Sequence, residues 1–158
     1  MNKNRWLYYI FFGILFGIFD FYYQRPVQSI KNNLLLIFVI LVVWLFLAVP
    51  VAINEVKVTG SPWKAALASM VSWMVAVISY YLYMTFKLVF IGEPSRPEMH
   101  ISNRADPYFW DNIKNHLLGD VLGGVGEWIL VAIIGGIVVG HLTAKIYLKF
   151  KPSELKLE

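Results

Sequence analysis

Apolar residues fall into four long runs, and most polar residues gather between them. The runs cover residues 6–23, 34–53, 63–91 and 121–147. None keeps the period of two that marks a half-buried strand. Each approaches or exceeds the roughly 20 residues with which an α-helix crosses about 30 Å of hydrocarbon. The pattern predicts an all-α chain, an integral membrane four-helix bundle that forms one transmembrane domain over residues 1–158.

The boundaries sharpen this reading. Asp20 to Pro26, a bulky and charged stretch, offers no small-residue cleavage signal after the first run, so that run is read as a retained helix and not a secretory leader. Pro50 is placed in the last turn of the second helix, where a proline costs little. Asn54 to Pro62 then reads as a polar hinge. Gly119, Gly123, Gly124 and Gly126 crowd the start of the fourth run, which leaves open whether 119–127 is helical or re-entrant, with regular helix expected from Trp128. Between the third and fourth runs, 92–118 forms an outer segment. Its first half, with Pro94 and Pro97, is loop. Its second half reads as a short amphipathic helix capped by Asp106 with Pro107 in first position, carrying Phe109, Trp110, Ile113, His116 and Leu117 on one face. That face suits a membrane surface or the bundle's own loops. The tail, 149–158, is polar.

Composition agrees with the membrane reading. Hydrophobic residues make up 58% of the chain and charged residues 15%, well below the roughly 25% of a soluble domain. The net charge of +4 does not indicate nucleic acid, because the basic residues stand singly at the ends of apolar runs. No cysteine is present, which excludes disulfides, thiolate metal sites and cysteine nucleophiles. Four crossings put eight Lys and Arg on the side of the two termini and six on the other. Both termini are therefore expected in the cytoplasm, in the plasma membrane.

In hydrocarbon, small side chains mark the faces where helices approach closely. Gly13 and Gly17 form one such pair, Ala132, Gly136, Gly140 and Ala144 form a four-residue ladder, and Ser69, Ser72 and Ser79 lie on a stripe of the third helix. Ordinary helix packing is the plainest meaning of all three.

Charges inside a span are costly, so they point to function more directly. Asp20 lies late in the first run and Glu127 early in the fourth, at similar depth toward the outer side, with Tyr80 and Tyr83 in the same layer. On a continuous fourth helix, Asp120, Glu127 and His141 fall within about 60° of one face. Such a layer can bind a cation through charge and ring faces, or relay protons. The plain alternative puts both carboxylates at headgroup depth within an aromatic belt, and gives His141 a partner on a neighbouring helix.

Other chemistry finds little support. His116 and Asp120 are four apart, too few for a metal site, and neither a phosphate loop nor a nucleophile elbow is present. No cofactor or metal is expected. Three functional classes remain: a transporter or channel subunit for protons, a cation or a cationic solute; an accessory subunit of a larger membrane complex; and a lipid-handling enzyme using Glu127, His116 or His141. Expected partners are membrane lipids and either a second copy of the chain or a larger membrane protein, because four helices enclose little volume.

Overall fold

The computed structural model describes residues 3–27, 29–91, 101 and 103–150. The first half of the outer segment, 92–100, and the tail, 151–158, lie outside the described residues. Helix α1 runs Lys3–Val27, α2 Asn33–Thr59 and α3 Pro62–Phe86; a wide π turn, Lys87–Ile91, extends α3. Helix α4, Phe109–His116, passes through a second π turn, Leu117–Val121, into α5, Leu122–Phe150. No strand occurs among the described residues.

Four of these helical stretches are long and apolar enough to cross a membrane. Only 28% of the most apolar window of α2 is buried, so most of its large apolar side chains, Phe38 and Phe46 among them, face outward. A monomer in water rarely exposes contiguous apolar surface on that scale.

Local chemistry sets the joints. Leu35 N–H donates to the Asn32 side chain at 3.1 Å and caps α2. Gly60, at φ 62°, closes the other end of α2 by donating its N–H to the Val56 carbonyl at 2.8 Å. That left-handed conformation suits a residue without Cβ. Ser61 then caps α3, and Pro62 takes its first position. Helices α2 and α3 are thus antiparallel neighbours joined through Gly60 and Ser61.

The boundaries correct several sequence expectations and answer one left open. Helix α2 continues nine residues beyond Pro50, to Thr59, so the expected hinge at 54–62 shrinks to two residues. The stripe Trp44, Leu47, Ala48, Val51, Ala52, Glu55, Val56 stays buried throughout, and this packing carries the helix past its proline. Residues 119–127 are helical, because the π turn carries the chain directly from α4 into α5. The expected short helix is therefore not a separate outer element but the beginning of one 42-residue stretch, Phe109–Phe150, about 63 Å long at 1.5 Å per residue. It starts at Phe109, not Pro107. Asp106 instead accepts the Tyr108 N–H at 2.8 Å in the turn before it. Of its expected apolar face, Phe109 and His116 are buried, whereas Trp110 is 77% exposed and Leu117 is also exposed.

Helix α3 lies between α1 and α5, and α2 packs on α3 and α5. The contacts are close because small residues meet backbone. A Cβ on Gly13 would sit 2.6 Å from the Ser72 carbonyl oxygen, and one on Gly17 would strike that of Ala76, next to Ser79. On α5, Ala132, Gly136, Gly140 and Ala144 are all buried. A Cβ on Gly136 would meet Met70 Cα at 2.5 Å, and one on Gly140 would meet Ala66 Cα at 2.8 Å. Ser69 donates its hydroxyl to the Ala48 carbonyl at 3.0 Å, tying α3 to α2. Trp44 stacks on Trp73 with ring centroids 5.2 Å apart, and Phe16 meets Trp44 edge-on.

Candidate functional site

Asp20 sits in the fifth turn of α1, on the face that carries Tyr9, Gly13 and Gly17, and it is 1% exposed. The glycines bring α1 onto α3 and draw Asp20 inward with it. Gln24, one turn on, donates to Asp20 Oδ2 at 2.9 Å, and Tyr80 donates to Gln24 Oε1 at 3.4 Å. Asp20 Oδ1 has no hydrogen-bond partner among the described residues. Leaving a buried acceptor unmet costs roughly 1–3 kcal/mol, and such a group calls for a functional or solvent explanation.

A cavity of about 40 Å³ adjoins this carboxylate, lined by Asp20, Gln24, Trp44, Val77, Tyr80, Tyr81 and Trp128. That volume holds roughly one to three water molecules. Of its walls, Trp44 is buried in the core and Trp128 is exposed. One turn nearer the end of α1, the Arg25 guanidinium lies 5.4 Å from the Phe21 ring centroid, and the Lys87 ammonium lies 4.9 Å from that of Tyr22.

The remaining sequence candidates are distributed differently. Glu127 is exposed and is not on the cavity wall. Tyr83 shares a hydrogen bond with Tyr22, which also accepts from Lys87, at the end of the bundle rather than in the cavity. Asp120 bonds His116 Nδ1 at 2.8 Å, and His116 Nε2 lies 3.4 Å from Thr85 Oγ1. This trio fastens the start of the last long helix to α3. His141 packs its ring 4.9 Å from that of Trp63, and its Nδ1 is buried without a partner among the described residues. The cavity thus brings together Asp20 and Tyr80, and leaves Glu127, Tyr83, Asp120 and His141 outside. Among the described residues, no three His, Cys, Asp or Glu side chains cluster to hold a metal.

Sequence reasoning missed Gln24, Tyr81 and, in the other half of the bundle, Glu55. Glu55 was assigned to a hinge, yet it is 1% exposed, accepts from the Tyr9 hydroxyl at 2.9 Å and lies 3.7 Å from Arg5 Nε. Extending the three-four spacing of 44, 47, 48, 51 and 52 by one step reaches position 55 and would have found it. Comparison with protein-family models, curated proteins and solved structures gives no match, so the residues themselves carry the functional reading.

Proposed function

We propose that the chain is an integral membrane protein of the plasma membrane, with four spans and cytoplasmic termini, and that it passes protons across the bilayer by way of Asp20. One observation carries the reading: a carboxylate oxygen shut from solvent, without a hydrogen-bond partner among the described residues, on a cavity whose walls include Tyr80 and Tyr81. A carboxylate kept inside a span has a cost that a purely structural part seldom justifies.

The cargo follows from size and ligand count. About 40 Å³ is too little for a cationic organic solute. A hard metal cation takes about six oxygen ligands, and the cavity offers Asp20, the Gln24 amide and two phenols. A proton needs neither that volume nor that ligand set, because it moves along water and hydroxyl groups. Glu127 lies off the cavity wall, so the proton is placed on Asp20 alone.

Purified protein in liposomes with a trapped pH dye, driven by a potassium gradient and valinomycin, tests this. Asp20→Asn should reduce proton flux to that of empty liposomes while the protein stays folded. Wild-type flux in that variant would exclude the reading, and sodium or potassium flux in place of proton flux would reassign the cargo.

A second reading, an accessory subunit, draws on the surface at the start of the last long helix. Trp110, Leu118 and Leu122 are exposed there, and Gly119, Gly123 and Gly126 face open space. A mass measurement in detergent that shows a second membrane protein co-purifying would favour it.

A further inference from the structure

Two carboxylates, not one, are shut inside the described residues. Glu55 lies late in α2, which runs opposite to α1, so it stands toward the end of the bundle away from Asp20. Its contact with Tyr9 has the form of a relay. Tyr9 donates its hydroxyl proton to Glu55 Oε2 at 2.9 Å, while its oxygen accepts from Asn54 Nδ2 at 3.1 Å and keeps a second lone pair. A proton arriving on that lone pair is balanced by passing the tyrosine's own proton to Glu55, and Tyr9 ends neutral.

Tyr9 and Asp20 are on the same buried face of α1, eleven residues or about 16 Å apart along the axis. Besides Asp20 Oδ1 and Arg5 Nε, two buried polar atoms on or beside α1 lack a hydrogen-bond partner among the described residues: Ser72 Oγ on α3, in the residue whose carbonyl abuts Gly13, and Trp6 Nε1, one turn before Tyr9 and on its far side from Asp20. Unmet buried donors and acceptors are where ordered water is held. A structural staple explains the contact of Arg5, Tyr9 and Glu55 but not these two atoms, and apolar residues of similar volume would join the helices as well.

We infer that Glu55, with Tyr9 as its relay, is a second proton-exchange group serving the opposite end of the bundle. The inference rests on the reading of Asp20.

The liposome assay separates the two ideas when Asp20→Asn, Glu55→Gln, Tyr9→Phe and Thr59→Val are measured together, each checked for folding by circular dichroism. Loss of flux is expected in the first three. Thr59→Val removes a 2.8 Å hydrogen bond to the Glu55 backbone carbonyl without touching the side chains of the relay, and it should keep its flux. Wild-type flux in Glu55→Gln beside a silent Asp20→Asn would overturn the role of Glu55 and leave that of Asp20 standing. Wild-type flux in Asp20→Asn would overturn both. If Glu55→Gln does not fold, Tyr9→Phe decides, since it keeps the ring and removes only the hydroxyl, and unchanged flux there overturns the relay. Equal loss of flux in Thr59→Val and Tyr9→Phe would assign the cluster to structure alone.

Discussion

Tyr9 and Glu55, 46 positions apart in the chain, meet through a 2.9 Å hydrogen bond that joins the beginning of α1 to the end of α2. Replacing Tyr9 with phenylalanine leaves a buried carboxylate oxygen short of its donor. The expected cost is roughly 1–3 kcal/mol, because the acceptor is shielded from water and charged. Denaturation in detergent micelles measures it, and a loss within error would mean that water replaces the hydroxyl freely.

Glycines on α5 divide into two groups with opposite expectations. Gly136→Ala forces a methyl onto the Met70 backbone, and overpacking of that kind costs about 1–3 kcal/mol. Gly126→Ala meets nothing within 4 Å and should be neutral or stabilise by about 0.5–1 kcal/mol through helix propensity. Melting temperatures of the two variants should therefore move apart. Equal shifts would show that the contact of α5 with α3 is looser than its backbone distances require.

Orientation is testable because the chain has no cysteine of its own. Single cysteines at Asn103 and Lys64, both exposed, mark the two ends of the bundle. An impermeant thiol reagent on intact cells should label the first and spare the second. The reverse pattern would invert the proposed topology.

Glu127 offers a control for the Asp20 site. Because it is exposed and off the cavity wall, Glu127→Gln should conduct protons at the wild-type rate. A silent Glu127→Gln would place a second carboxylate on the route and require the helices to rearrange.

The bond between His116 and Asp120 spans core and surface, with side chains 2% and 57% exposed. Asp120→Asn should cost at most about 1 kcal/mol, as expected for a pair whose acid stands half in water. His116→Leu should cost more, since it also removes the contact with Thr85. A double-mutant cycle with Thr85→Val would isolate that contact as a non-additive term.

Much of the helix inventory is legible from the sequence, and for a definite reason. Long apolar runs admit few other structures, so the four long helices follow from run length alone. What periodicity could not supply was the azimuth of single polar residues. Asp20 and Glu127 have similar depth by chain direction, yet one is buried and the other exposed, because rotation about a helix axis is set by glycine contacts with neighbours. Proline misled at position 50, where core packing outweighs one missing backbone bond. The π turn at Leu117–Val121 shifts the face by an extra residue, so reading α4 and α5 with a single 3.6-residue period fails across it. Glu55 was lost for a simpler reason: a charged residue after a proline looks like a loop.

The joint at Gly60 and Ser61 also has a mechanical meaning. With a connection this short the end of α2 stays with the start of α3, and the Ser69–Ala48 bond and the Trp44–Trp73 stack tie the two farther along, into one frame. Any motion that opens the Asp20 cavity must then be a displacement of α1 or α5 against that frame. The smooth glycine tracks of those two helices are the surfaces on which such a piston stroke would run.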